Sequence, residues 1–281
     1  MPLQHLMNAT KDIIVSLLVK ATQLLMSLHA RDASPWLNHA PILIIAPHPD
    51  DETLGCGGFI LRARQQGSEI RIVIVSDGAQ GSKGNNIAAS QLAVIRQQEA
   101  LCATSQLGLK PHQVTFLNFP DGKLSSCAKA LDEKLSEQIA RLSPHIVMSP
   151  YLKENHPDHR AIAESIARLR QKGNLKGLWV EYPVWFWPAG AWNFLLNPNA
   201  SQLYKLEISG ISAQKQAAMA SYRSQLQIAK RKQTTTRCFR PRTLAANFLG
   251  KNEYYILPHT KRQNQALTIG HPIVDKSPPH L

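Results

Sequence analysis

Apolar residues along the chain fall into two rhythms. Short, largely apolar runs recur at Ile42–Ala46, Ile70–Ser76, Val114–Phe119, His145–Ser149 and Gly177–Val184. The first four are each followed at once by Pro or Asp-Gly. Runs of that length bounded by turn residues read as buried strands. Between them lie longer stretches with helical spacing, at about Gly57–Gln66, Ile87–Leu107, Cys127–Leu142 and Asp158–Lys172. Strand and helix alternate with short links. The expected fold class is therefore α/β, a Rossmann-like, doubly wound, mainly parallel sheet with helices on both faces. In the strand order 3-2-1-4-5, the first and fourth runs flank the point where the order reverses, and open α/β sheets place ligands there.

The two ends of the chain follow other patterns. Residues 1–40 form an expected amphipathic helical extension, with Ile13, Ile14, Leu17, Leu18, Ala21, Leu24, Leu25 and Leu28 at helical spacing and Lys11, Lys20 and Arg31 among or beside them. Lys20 inside a short run argues against a membrane span. The stretch also lacks the layout of a signal peptide. Such a helix either packs on the domain or lies in a membrane interface. Beyond Val184, Trp185-Phe186-Trp187-Pro188 and Trp192 crowd aromatic rings together, suited to sugar faces, acyl chains or a plug over the sheet edge. Leu203–Ile208 reads as a further strand and Ile211–Lys232 as a helix. Residues 261–281 are polar and Pro-containing and read as a loose tail.

The first strand runs directly into Pro47-His48-Pro49-Asp50-Asp51-Glu52, then a Gly-rich stretch that opens a helix. Ionisable side chains packed this densely on a buried loop are costly unless something uses them. A divalent metal is the simplest user, with an imidazole nitrogen from His48 and hard oxygens from Asp50 and Asp51. One Asp can bind the metal while its neighbour acts as a base. Spacing alone does not say which. After the fourth strand comes Asn155-His156-Pro157-Asp158-His159-Arg160. If the two strands are neighbours, both loops meet around one ion with a position open for water.

Composition narrows the partners. Of 281 residues, 43% are hydrophobic, enough to bury a full core. The four cysteines, Cys56, Cys102, Cys127 and Cys238, show no paired spacing, which points to a reducing, cytoplasmic setting rather than a disulfide framework. The net charge of +13 suits an anionic membrane surface or a phosphorylated substrate. No basic run is interleaved with aromatics, so nucleic acid is not expected. The loop Gly78–Asn86 is Gly-rich, but its Lys83 is not followed by Ser or Thr, which rules out a P-loop.

Taken together, the His-Pro-Asp-Asp-Glu and His-Pro-Asp-His motifs resemble those of the PIG-L/LmbE-like family of zinc-dependent de-N-acetylases. Arg96-Gln97-Gln98-Glu99-Ala100, Pro120-Asp121-Gly122-Lys123-Leu124, and Lys215 with Ser221–Leu226 fit the same family. The resemblance implies one deacetylase domain over residues 41–260. It implies an enzyme that removes acetyl from an N-acetylglucosamine-type group of a saccharide or glycoconjugate. His48, Asp51 and His159 would hold one Zn2+ per chain, or another divalent ion. Asp50 would be the general base, and His156 would stabilise the oxyanion or act as an acid. Arg96 and Asp121 would hold substrate. Glu52 and Asp158 would support or cap these groups. Hydrolysis of another amide or of a phosphoester is the alternative. A peripheral contact with membrane or anionic lipid is compatible with the basic surface and the amphipathic start.

Overall fold

Strand β2 (Ile42–Ala46) shows why the sheet forms where it does. All five of its residues are buried, and alternate side chains enter opposite cores, as the two-residue repeat of a strand demands. Ile42, Ile44 and Ala46 join one cluster; Leu43 and Ile45 join the other. A strand apolar on both faces is stable only when both faces are covered.

In the computed structural model, residues 2–38, 41–82, 87–186, 201–225 and 247–258 are described. Helix α1 (Pro2–His29) and the two-residue strand β1 (Arg31–Asp32) precede β2. There follow α2 (Asp51–Gln65), β3 (Ile70–Ser76), α3 (Ala89–Gln106), β4 (Val114–Phe119), α4 (Ala128–Leu142), β5 (Ile146–Pro150), α5 (Pro157–Gln171) and β6 (Leu178–Tyr182). After these come β7 (Ser201–Glu207), the short α6 (Ser212–Met219) and β8 (Asn252–Pro258).

The eight strands make one sheet in the order β1-β7-β8-β6-β5-β2-β3-β4. From β6 to β4 every pairing is parallel. The sheet as a whole is mixed, because β8 runs antiparallel to both β6 and β7. The five expected runs pair in parallel as anticipated; the correction is that the sheet continues beyond them and is mixed there. The apolar stretch Tyr254-Tyr255-Ile256-Leu257 forms most of β8, and the sheet continues past β6 through it. Helices α4 and α5 cover one face; α1, α2 and residues of α3 and α6 cover the other.

Two further expectations need correction. Helix α2 begins at Asp51 rather than near Gly57, so the acidic pair lies at the helix start itself. The apolar stripe of α1 faces away from the domain: Leu17, Leu24 and Leu28 are 61%, 65% and 72% exposed. The helix packs instead through Val15, Val19, Thr22, Gln23 and Met26. Trp187, Trp192, the segment 226–232 of the expected long helix, and the tail 261–281 lie outside the described residues. No helix among the described residues is long and apolar enough to cross a membrane.

Candidate active site

Because β2 and β5 are neighbours in parallel register, the loops leaving their carboxyl ends meet. The helices that follow, α2 and α5, pack on opposite faces of the sheet. The crevice between them is the expected ligand position of an open α/β sheet. His48, Asp50, Asp51, Arg96, Asp121 and His159 all lie buried there or against it. His156 is half-buried.

The first loop is tightly built. The Ser76 amide donates to the Pro47 carbonyl at 2.8 Å, which ties the loop to β3. Asp50 sits just before α2 with φ at 129°, a backbone region costing on the order of 1–3 kcal/mol for a residue with a side chain. The surroundings over-determine it. Its amide donates to Glu52 Oε2 at 3.2 Å, and its carbonyl accepts from the Thr53 and Leu54 amides. Arg96, reaching in from α3, donates through Nη2 to the Pro49 carbonyl (2.6 Å) and to Asp50 Oδ2 (3.2 Å). Its Nη1 donates to the Gly78 carbonyl at 2.9 Å. Gly78 has φ at +66°, and a Cβ there would meet Arg96 Nη1 at 2.5 Å. Only glycine allows that approach. Arg96, expected to grip substrate, thus directs both terminal nitrogens at the protein. Glu52 accepts from Tyr222 Oη and from Thr53 Oγ1.

One turn further along α2, a buried ion pair enters the helix. Gly58 and Phe59 donate their amides to Glu253 at 2.6 and 2.8 Å. Lys215 Nζ donates to the Leu54 carbonyl (2.8 Å) and to Glu253 Oε1 (2.7 Å). These side chains engage the two groups, Gly58 N–H and Leu54 C=O, that a regular helix would pair with each other. A Cβ on Gly58 would lie 2.5 Å from Ile208 Cγ2. The Gly-rich run after the motif is therefore a docking seat for β8 and α6.

The second loop is simpler. His156 is the N-cap of α5 in ordinary extended conformation, and Pro157 takes the first helical position, where its missing N–H costs nothing. His156 Nδ1 accepts from the Asp158 amide at 3.3 Å. Its ring packs on His48 (centroids 4.7 Å apart), His159 (5.0 Å) and Trp185 (5.8 Å).

Between the loops lies the donor cluster. Asp51 Oδ2 is 3.1 Å from His48 Nδ1 and 3.2 Å from His159 Nε2. His48 Nε2 is 3.2 Å from both Asp121 Oδ1 and Asp158 Oδ2. Donor atoms of His48, His156 and His159 lie within 4.8 Å of one another, as do those of His48, Asp121 and Asp158. His159 is fully buried; its Nε2 faces only Asp51 Oδ2, in poor hydrogen-bond alignment, and its Nδ1 has no hydrogen-bond partner among the described residues. Buried imidazole nitrogens left without partners are costly, and a cation would satisfy one of them. Imidazole nitrogens with carboxylate oxygens are a donor set that zinc and similar divalent ions accept. The residues therefore fit a metal.

The electrostatics differ sharply between neighbours. Burial pushes Asp50 up, Arg96 pulls it back, and the Asp51 charge raises it again; it ends well above the usual carboxylate range. Burial also pushes Asp51 up, but the His159 and His48 imidazoles more than reverse this and hold it below that range. Burial lowers His48, and its bonds to Asp121, Asp158 and Asp51 outweigh that and raise it. His156 is lowered to about 4 by burial and by the nearby His48 and His159.

Three supporting groups show roles that the sequence alone does not give: two have a lesser expected part, and Glu154 has none. Asp158 reads as a helix cap, but its carboxylate reaches His48 and accepts the Gly122 (2.7 Å) and Leu124 (3.1 Å) amides. It thereby fixes the turn that carries Asp121. Tyr222, which reads as helix packing, bonds Glu52. Glu154 accepts the amides of Val184 (2.6 Å) and Trp185 (2.7 Å) and so holds the aromatic segment against His156.

Fold and site together define an α/β protein with a buried His/Asp cluster, fit for a divalent ion, at the topological switch point. A family model described as GlcNAc-PI de-N-acetylase matches residues 43–169. Diacetylchitobiose deacetylase of Thermococcus kodakarensis is 30% identical over 140 residues, covering 49% of this chain and 51% of that protein. The chain thus spans about half the length of that curated relative. Among solved structures, a conserved protein from Thermus thermophilus is 30% identical with a TM-score of 0.53, covering 78% of this chain and 96% of its own. N,N'-diacetylchitobiose deacetylase from Pyrococcus horikoshii shares the fold at 24% identity and a TM-score of 0.61, covering 81% of this chain and 87% of its own. The chain belongs to the PIG-L family.

Proposed function

We propose that this chain is a metal-dependent hydrolase that removes the acetyl group from an N-acetylglucosamine-type unit of a saccharide or glycoconjugate. The observation that carries this reading is the placement of Asp51 Oδ2 at 3.1 and 3.2 Å from His48 and His159, with Asp50 next to it in chain and raised in pKa. Curated relatives named as deacetylases of acetylated saccharides support the reaction class.

His48, Asp51 and His159 would hold the ion, which when bound polarises water and the acetyl carbonyl. Asp50 is the general base and takes a proton from the attacking water. A buried carboxylate with a raised pKa is a stronger base than an exposed one. Arg96 keeps that base in place and limits how far its pKa rises. His156 donates to the oxygen that becomes negative as the carbonyl is attacked. Its Nδ1 accepts the Asp158 amide, so the hydrogen of the neutral ring sits on Nε2. With a pKa near 4, the ring works as a neutral donor rather than as a resident acid. The proton taken by Asp50 then passes to the departing amine, the amide C–N bond breaks, and acetate leaves. Asp121, fixed by the Gln80 amide at 2.9 Å, closes the far side of His48 and would meet sugar hydroxyls.

The test is acetate release from a panel of free, lipid-linked and phosphate-linked N-acetylglucosaminides, on protein of known metal content. Chelator-sensitive release with one ion per chain is the expected result. Metal-replete protein that frees acetate from no member of the panel would sink the proposed reaction.

A further inference from the structure

The apolar stripe of α1 points the opposite way from the surface by which the helix is attached. At 100° per residue, the stripe from Ile13 to Leu28 covers an arc of roughly 140°, centred nearly opposite the buried positions Val15, Val19, Thr22 and Met26. The attachment is specific. Gln23 Nε2 donates to the Asn247 carbonyl at 3.3 Å, and Tyr254 Oη donates to the Gln23 carbonyl at 2.6 Å. Lys205 Nζ donates to the Ser27 carbonyl at 2.7 Å. Thr22 is fully buried and returns its hydroxyl to the Leu18 carbonyl. Rotating the helix to hide its leucines would break these bonds. The stripe is therefore outward by construction, and its central leucines are 61–72% exposed.

On that geometry we infer that the outer face of α1 is a docking surface for an anionic lipid bilayer, entering the headgroup region in the plane of the membrane. The charges at its borders select this occupant. Lys11 and Lys20 are both exposed and fall about 20° outside the two edges of the stripe on the same helical projection. Cations at both margins of an apolar face place their stems along the acyl boundary and their ammonium groups among phosphates. A second copy of this chain would oppose lysine with lysine along the same borders. The surplus of 32 Lys and Arg over 19 Asp and Glu adds long-range attraction to a negative surface. The stripe runs for roughly 22 Å along the axis at 1.5 Å per residue, which is ample for lying on a bilayer.

Flotation of the full chain with vesicles of phosphatidylcholine, with and without phosphatidylglycerol, tests the inference. The wild type should float with the anionic vesicles at least about tenfold better than with the neutral ones, and high salt should erode that preference. The double variant Leu17→Glu/Leu24→Glu, at exposed positions, should lose about tenfold or more of the binding while keeping its melting temperature. Lys11→Glu/Lys20→Glu leaves every apolar contact intact and should cut the preference for phosphatidylglycerol by about tenfold or more, and an unchanged preference would overturn the inference, so it decides the matter even if the leucine variant folds poorly. Wild-type protein that ignores both vesicle types overturns the inference. So does a wild-type dimer in sedimentation that the leucine variant splits, because a second copy would then own the face.

Discussion

The two motif loops look alike in sequence and are built in opposite ways. His-Pro-Asp-Asp enters α2 through a residue at φ 129°, and every side chain from His48 to Glu52 is buried. Arg96 from α3, Tyr222 from the segment after α6, and the amide of Ser76 in β3 brace it from three directions. His-Pro-Asp-His begins α5 with a regular N-cap and a Pro at the first position, and its leading His is half-buried beside Trp185. Strain is stored on the side that carries the raised carboxylate. The other side keeps ordinary backbone and turns one imidazole towards the opening. Backbone strain persists only where surroundings over-determine it, so the first loop positions the reacting group and the second meets what enters.

The largest way to break this contrast is Asp50→Asn. Asparagine tolerates positive φ and serves as an N-cap, so the loop should keep its shape while the base is lost. Steady-state kinetics should show kcat/KM down by about a thousandfold with an unchanged melting temperature. In the wild type, kcat/KM should fall as pH drops through the raised pKa of Asp50, because the protonated carboxyl cannot accept a proton. The variant should lack that acid limb. A loss below about tenfold would remove Asp50 from the mechanism.

His156→Ala sharpens the contrast from the other loop. Removing an oxyanion donor should cost about a hundredfold in kcat, with KM moved little. Burial and the neighbouring imidazoles hold His156 near 4, so the deficit should be constant across neutral pH. Loss of its bond to the Asp158 amide should also cost the helix start about 1 kcal/mol, measurable by denaturation. A rise in KM with kcat unchanged would make His156 a substrate contact instead.

Much of this site is legible in the chain because its signals are local. Apolar runs ending at Pro and dense ionisable loops at strand ends need no distant partner to be recognised. What escaped is long-range. Arg96 lies three residues before Glu99, which suggests a helix pair, yet its carboxylate partner is Asp50, and Glu99 accepts the amide and hydroxyl of Ser224. The role of Asp158 depends on His48, which is 110 residues away in chain. Periodicity located the stripe on α1 but not the direction it faces, since that depends on Asn247 and Tyr254 pinning Gln23. Strand β8 is the exception, a local element absent from the expected set although four consecutive apolar residues, Tyr254 to Leu257, mark it.

The smallest effect sharpens how the second loop is held. Glu154 accepts two backbone amides, one on each carboxylate oxygen. Glu154→Gln replaces one acceptor with a donor that faces an N–H group. A buried donor left unsatisfied costs about 1–3 kcal/mol, visible as a lower melting temperature, and Trp185 loses its anchor beside His156. The cost should depend on pH. Burial pushes Glu154 from 4.5 up to about 8. A carboxyl whose folded pKa lies above its unfolded value contributes stability in acid and loses it as pH rises through the folded value. Glutamine has no proton to lose, so the gap between wild type and variant should be widest in acid and narrow towards pH 8. A gap that stays constant with pH would mean that Glu154 keeps an ordinary carboxyl pKa. No gap at all would mean that the amides of Val184 and Trp185 are held by something else, and that the second loop is looser than its hydrogen bonds suggest.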